Sequence, residues 1–296
     1  MILVTGGTGF IGQATVRELL AHGHAVRLLA RDPERSKALF PTAEVIKGDI
    51  LDKDLSPAFE GVNSLIHLAG LISYTLPRKE LFRVNVEGTK NVLSFADGVD
   101  KIVFASSVAV YGESGQRLDE TQDPRPKTVY GESKLAAEQA VLESGIPAVA
   151  LRLSVVYGPH SPIWDSILKF FSKGFPIPRS RNTTDLVHVE DVARAFQLAL
   201  KKGEGVYNIA GGTPIPFTAL ATLCASALGI RPRFWPVWLV TLLAGLKGKG
   251  KEIKIFIKNR DYDATKAAEL GWEPTVKLED GIKGMVEAFQ QGRKHA

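Results

Sequence analysis

The run Thr5-Gly6-Gly7-Thr8-Gly9-Phe10-Ile11-Gly12 constrains this chain more than any other feature. It follows a strand-like stretch at 2–5 and opens a helical pattern at 11–20, where Val16, Leu19 and Leu20 share an apolar face. A strand that turns through spaced glycines into a helix is the start of a dinucleotide-binding βαβ unit. Gly6 permits the tight turn, Gly9 lets backbone approach a pyrophosphate, and Gly12 allows helix to pack closely on strand. The helix start then offers unpaired N–H groups to the phosphates. Gly6, Thr8, Gly9, Phe10, Ile11 and Gly12 are therefore candidate cofactor contacts.

The same rhythm continues through the first half. Strand patterns at 25–30, 45–47, 64–68, 101–105 and 148–153 alternate with helical patterns that include 81–95 and 129–142. Ile102, Val103 and Phe104 are apolar on both faces, as a parallel sheet covered by helices on both sides requires. After about residue 154 prolines punctuate shorter elements, and helical patterns remain at 192–200, 217–228 and 278–289. The expected fold is α/β: a Rossmann-type doubly wound parallel sheet over 1–154 and a smaller C-terminal substrate lobe over 155–296. The segment 183–210 is expected to return to the first domain.

Hydrophobic residues make up 45% and charged residues 23%, the balance of a globular chain and not of a disordered or multi-span membrane one. The single cysteine, Cys224, excludes a disulfide framework and any multi-cysteine metal site, and suits a reducing compartment. The chain opens directly on its first strand, which predicts a cytoplasmic protein without a signal peptide. No His-Glu-x-x-His, nucleophile elbow or carboxylate cluster supports hydrolase chemistry, and no metal is expected. His22 and His24 flank a helix-to-strand turn and read as solvated.

A second signal is Tyr130-Gly-Glu-Ser-Lys134 at the start of a helix. Spacing i, i+4 puts Tyr130 and Lys134 on one face, where an ammonium would lower the phenol's pKa toward neutrality. Upstream, a strand ends in Ser106-Ser107, followed by Val-Ala-Val-Tyr111-Gly112. Carboxyl ends of parallel strands face the ligand crevice, so these hydroxyls and the glycine loop share one edge.

With these motifs in order, the chain resembles the extended short-chain dehydrogenase/reductase family over nearly its whole length. The resemblance also rests on Gly48-Asp49-Ile50, His67-Leu68-Ala69-Gly70, Asn85-Val-Glu-Gly-Thr89, Arg152 through Pro159, and Leu186-Val-His-Val-Glu-Asp191. It implies Ser107, Tyr130 and Lys134 as the catalytic set. It also implies a nicotinamide dinucleotide, with Asp49 and Ile50 near the adenine and Leu68, Ala69 and Gly70 near ribose and phosphates. Tyr130, Lys134 and Val155 complete the implied cofactor contacts. In family terms His188 sits in a segment of packing role, and Asn85 either orders the proton-relay region or simply holds its helix.

Cofactor choice follows from charge. NAD-preferring folds commonly end the second strand in an acidic residue on the ribose 2′-OH. Here Ala30 and Arg31 stand there, with Arg35 close behind. A guanidinium forks onto a 2′-phosphate, so NADP is expected, with NAD the alternative. Compared with the family's nucleotide-sugar members, Val155 replaces an asparagine, Thr184 an arginine, and Val108-Ala109 an Asp-Glu pair. The resemblance is therefore closer to the dihydroflavonol reductase and 3β-hydroxysteroid dehydrogenase branch. The expected reaction interconverts a ketone and a secondary alcohol on a small, apolar substrate. A nucleotide-sugar epimerase with tightly held NAD is the second reading, and a non-catalytic dinucleotide-binding scaffold the third.

Eight basic residues and one acidic one between Arg231 and Arg260 carry more positive charge than the whole chain's net +5. The charge is local, so a nucleic-acid partner is not expected. The segment 234–246 within it is apolar nearly throughout but too short to span a bilayer, which needs ~20 residues. Two readings stand: a pocket wall that selects an apolar substrate, or weak contact with a membrane surface through 231–260. The helices at 81–95 and 129–142 carry apolar residues beyond what one sheet face requires, and the family's matching helices pair subunits, so a homodimer is expected.

Overall fold

A computed structural model of the chain describes residues 1–113, 115–246 and 258–294. Seven strands form one sheet in which each neighbouring pair is parallel. Six are β1 (Ile2–Thr5), β2 (Val26–Ala30), β3 (Glu44–Lys47), β4 (Ser64–His67), β5 (Lys101–Ser107) and β6 (Ala148–Leu153); the seventh is Gly205–Ile209. Their spatial order is Gly205–Ile209, β6, β5, β4, β1, β2, β3. The helices of this half are α1 (Phe10–Ala21), α2 (Pro33–Leu39), α3 (Ser56–Phe59), α4 (Arg78–Phe82), α5 (Gly88–Ser94) and α6 (Val129–Leu142).

Successive strand residues point to opposite faces, and both faces here are covered. Val4 packs with Ile66, Val103 and Val149 beneath Val16 and Leu19 of α1. Its neighbour Leu3 packs with Leu65, Ile102 and Phe104 beneath Val92 of α5 and Val141 of α6. Continuously apolar strands are the consequence. The order reverses between β1 and β4, whose carboxyl ends meet as register partners Thr5 and His67. Open α/β sheets bind ligands in the crevice at such a switch point.

Beyond β6 a short strand, Val155–Tyr157, pairs with Leu186–His188. Helices Pro162–Ser172, Phe217–Ala227 and Leu278–Lys294 enclose a separate core that includes Tyr157, Trp164, Leu168, Leu220 and Met285. Between these elements the chain revisits the sheet. Helix Val189–Ala199 covers the α1 side through Val192 and Phe196, and Gly205–Ile209 adds the edge strand beside β6.

Three local expectations change. The strand expected at 101–105 continues to Ser107. The helix expected at 81–95 starts at Arg78 and contains a π-helical turn, Arg83–Glu87. A π turn inserts an extra residue that a 3.6-residue period does not reveal. Finally, among the described residues neither 78–94 nor α6 exposes a large apolar side chain. Val84, Leu93, Phe95 and Leu142 are partly buried against the sheet core and Leu135 against a cluster around Tyr111.

The apolar segment forms a strand, Phe234–Pro236, along Ile177–Arg179, and then a helix, Val237–Leu246. Val240 is buried, whereas Trp238 is exposed. Lys247, Lys249, Lys251, Glu252 and Lys254 lie outside the described residues. Among those described, no helix is long and apolar enough to cross a membrane.

Candidate active site

The glycine loop is built for close approach. Gly6 leaves β1 at φ +74, and a Cβ there would meet Ala69 N at 2.6 Å. A Cβ on Gly12 would meet the Gly6 carbonyl at 2.1 Å. At Gly9 the nearest atom to such a Cβ is the same carbonyl at 3.3 Å, so the loop stays open there. No side chain caps α1, which leaves its first-turn N–H groups for an anion. Thr8 is steadied by Gln13, whose Nε2 donates to its carbonyl at 3.1 Å, and Ile11 packs on the sheet core beside Phe10. Shape and donors fit a pyrophosphate.

Arg31 emerges from the end of β2 with its side chain 84% exposed, Nε 3.8 Å from Asp49 Oδ2. Asp32 caps α2 by accepting from Arg35 N at 3.0 Å. Asp49 is held by its neighbours: Asp52 Oδ2 accepts its N–H at 2.7 Å and its own Oδ1 accepts from Leu51 N. Ile50 is buried against Gly88. Thus Arg31, Arg35, Asp49 and Ile50 gather past the ends of β2 and β3.

The loop after β4 is fixed by a buried polar chain. Ala69 N donates to Thr5 Oγ1 at 3.2 Å, and Thr5 Oγ1 lies 2.6 Å from His67 Nδ1. His67 Nε2 lies 2.9 Å from Thr89 Oγ1, whose proton goes to the Asn85 carbonyl at 2.7 Å. Because that hydroxyl proton is already committed, Nε2 carries the imidazole proton and Nδ1 accepts from Thr5. Burial, with the nearby Lys134 charge second, holds the His67 pKa at about 3, so the ring is neutral. Asn85 continues the chain: Leu71 N donates to its Oδ1 at 2.7 Å, and its Nδ2 donates to the Leu71 carbonyl and to Ser133 Oγ. The π turn thereby ties Leu68, Ala69 and Gly70 to α6.

The proposed catalytic trio converges beside this loop. Ser107 ends β5, and Thr128 caps α6 through Gly131 N at 3.0 Å, which sets Tyr130 in the first turn. The Ser107 hydroxyl lies beside the Tyr130 phenol and favours its ionised form, although its oxygen also accepts from Ala109 N at 3.2 Å. One turn on, Lys134 Nζ lies 4.2 Å from the centre of the Phe104 ring and 4.0 Å from where a Gly70 Cβ would stand. Tyr74, in the loop after Gly70, meets the Tyr130 ring edge-on at 5.7 Å.

Electrostatics correct one expectation. Burial holds the Tyr130 phenol well above its ordinary range, with Tyr74 adding to the rise and Ser107 opposing it. Burial likewise pushes Lys134 down to about 7, with Glu138 pulling the other way. Desolvation outweighs the lysine's attraction for a phenolate when both groups are buried. The tyrosine therefore stands proton-loaded.

Ser106, the neighbouring hydroxyl, turns away from the trio and donates to Glu138 Oε2 at 2.5 Å. Glu138 also holds Arg152, whose guanidinium lies 4.6 Å over the Tyr111 ring, and Tyr111 donates to Asn208 Oδ1 at 2.8 Å. The Glu138 pairing and Tyr74 were missed in sequence. A glutamate on a helix reads as a solvated face, and a single aromatic in a loop carries no spacing signal. Val155 alone of the cofactor candidates lies in the smaller lobe, packed on its core beside Leu186. Among the described residues no group of histidine, cysteine and carboxylates could hold a metal.

The model of the NAD dependent epimerase/dehydratase family matches residues 2–210. The chain belongs to that family. It is an enzyme of the extended short-chain dehydrogenase/reductase type. A sterol-4-alpha-carboxylate 3-dehydrogenase of Bos taurus is 28% identical, covering 98% of this chain and 93% of the relative. Among solved structures, the UDP-glucose 4-epimerase of Thermotoga maritima with UDP-glucose superposes with TM-score 0.83 at 29% identity, over 99% of both chains. That of Thermus thermophilus, complexed with NAD, gives 0.81 at 30% identity over 98% of both. The family thus includes both dehydrogenases and epimerases.

Proposed function

We propose that this family member is a reductase or dehydrogenase that interconverts a ketone and a secondary alcohol with net hydride transfer. The observation that carries the reading is that Tyr130 and Lys134 are buried one turn apart on α6, with the Ser107 hydroxyl at the end of β5 beside the phenol. Bound in the crevice, a nicotinamide dinucleotide supplies or accepts the hydride. Gly6, Gly9, Gly12 and the first turn of α1 hold its phosphates; Asp49, Ile50 and Leu68–Gly70 hold the nucleoside parts. Tyr130, kept protonated by burial, gives its proton to the carbonyl oxygen. Ser107 hydrogen-bonds the same oxygen and stabilises the negative charge that develops there. Lys134 binds ribose hydroxyls and, once charged, replenishes the tyrosine's proton.

Two positions favour this reading over sugar-nucleotide epimerisation. Val155 is packed on the lobe core, and Thr184 is buried in a two-residue pairing with Ile215. Neither presents the polar group expected for a sugar nucleotide. Ile72 and Tyr74, both exposed on the loop beside Tyr130, offer apolar contact to a substrate. Arg31 and the missing acid at Ala30 favour NADP, with NAD the alternative. The epimerase reading is favoured by the NAD and UDP-sugar complexes of the similar structures. Mass spectrometry of the purified protein for retained cofactor, paired with a ketone screen for NADPH oxidation, separates the two. Cofactor released and consumed with an apolar ketone supports the reductase; tightly held NAD without net turnover supports the epimerase.

A further inference from the structure

The smaller lobe carries a face of large apolar side chains beyond the residues proposed above for catalysis and cofactor binding. Trp238 and Leu242, one turn apart on helix Val237–Leu246, are 68% and 57% exposed. Trp235 and Leu243 are exposed beside them. The strand leading into this helix lies along Ile177–Arg179, pairing Trp235 with Pro178. Just before that strand, exposed Phe175 stacks on exposed Phe170 at 4.8 Å. Ile163, two turns before Phe170 on Pro162–Ser172, is exposed as well. Helix Pro162–Ser172 meanwhile buries Trp164, Leu168 and Phe171 in the lobe core. Its outer side thus carries Ile163 and Phe170 among the polar Ser166 and Lys169, whereas a surface helix of a globular protein turns mainly polar residues outward. Contiguous exposed apolar residues of this kind mark an interaction site.

The charge around the face selects the partner. Lys169, Lys173, Arg179, Arg181, Arg231 and Arg233 are all exposed. Over 159–181 and 228–246 the sequence offers a single acidic residue, Asp165. A second copy of this chain would bring the same cations against them and be repelled. An anionic lipid surface complements them. Tryptophan favours the headgroup level, leucine the acyl boundary, and lysine or arginine the phosphates, which are the side-chain types this face combines. We propose that the face docks on an anionic bilayer surface, with Trp235, Trp238, Leu242 and Leu243 entering the interface.

The test is flotation of the full chain with phosphatidylglycerol-containing vesicles and with pure phosphatidylcholine vesicles, read together with quenching of tryptophan fluorescence by brominated lipid. Trp164 and Trp272 are buried, so quenching reports Trp235 and Trp238. The expected result is binding to the anionic vesicles, weakened by high salt, with quenching. Replacing Trp238→Asp and Leu242→Asp together should lower the partition coefficient at least ~10-fold with an unchanged circular-dichroism spectrum. Arg231→Glu with Arg233→Glu should weaken anionic binding without touching the apolar residues, which decides the matter if the first variant does not fold. The proposal is overturned if the wild-type chain fails to float at low salt, or if either folded variant binds as wild type. It is also overturned if light scattering shows a wild-type dimer that the Trp238→Asp change dissociates, since a second copy then covers the face.

Discussion

Glu138 lies one helical turn beyond Lys134 on α6 and grips Arg152 of β6 at two points, Nη2 to Oε1 at 2.6 Å and Nε to Oε2 at 3.1 Å. The side chains are 2% and 5% exposed. The pair fixes the helix that carries Tyr130 and Lys134 against the sheet whose edge carries Ser107. Removing one partner leaves a buried, uncompensated charge, which costs about 3–5 kcal/mol. Glu138→Ala should lose that much in urea unfolding, and pairing Glu138→Leu with Arg152→Met should recover most of it. A loss of Glu138→Ala below ~1 kcal/mol, the range of exposed pairs, would mean that the pair does not anchor α6.

Lys134 makes stability depend on pH with a defined sign. Its folded-state pKa is about 7, against ~10.4 in an unfolded chain. Between those values the unfolded chain binds a proton that the folded one does not, so stability rises with pH across the window. Lys134→Met removes the effect. Its stability advantage over wild type should grow as pH falls from ~10 to ~7 and level off below. A constant difference over that range would show that burial does not hold the lysine down.

Asp185 works in the opposite direction. Burial raises its carboxyl to about 7, although Gly211 N–H donates to Oδ1 at 2.8 Å. Here the folded chain holds the extra proton between ~4 and about 7, so this group's contribution falls as pH rises through that window. Asp185→Asn keeps an acceptor for Gly211 and should flatten that part of the stability profile. An unchanged slope would contradict the assignment.

Arg31→Ala tests the cofactor preference. Only NADPH offers a 2′-phosphate to the guanidinium, and a charged hydrogen bond of this kind is worth ~1.5–3 kcal/mol. Calorimetric affinity for NADPH should fall by that amount while NADH affinity stays near its starting value. Equal losses, or none, would return Arg31 to its surface contact with Asp49.

Much of this architecture is written locally. The strand, three spaced glycines and helix of 2–20 announce the crevice, spacing on one helix pairs Tyr130 with Lys134, and the family resemblance singles out Ser107 from the two hydroxyls at the strand end. What escaped notice depends on partners far apart in sequence. Glu138 carries no mark until β6 places Arg152 opposite it. Asn85 is singled out in sequence, but its partners Leu71 and Ser133 appear only once the π turn places it. Charge alone predicts an ammonium that lowers the tyrosine's pKa, yet burial of both groups reverses that balance, and burial is not a local property. The apolar run 234–246 has a composition that fits a pocket wall or a surface, and only the folded chain shows Val240 buried and Trp238 exposed.

The central claim is net hydride transfer driven by proton donation from Tyr130, and deuteride transfer from deuterated NADPH to an apolar ketone tests it most directly. The account predicts deuterium on the carbinol carbon of the product with wild-type protein. It predicts a rate ~10²–10⁴ lower with Tyr130→Phe, at unchanged cofactor affinity and melting temperature. Label that never leaves the cofactor while a tightly held NAD cycles on a sugar nucleotide, or a Tyr130→Phe protein with undiminished turnover, would contradict it.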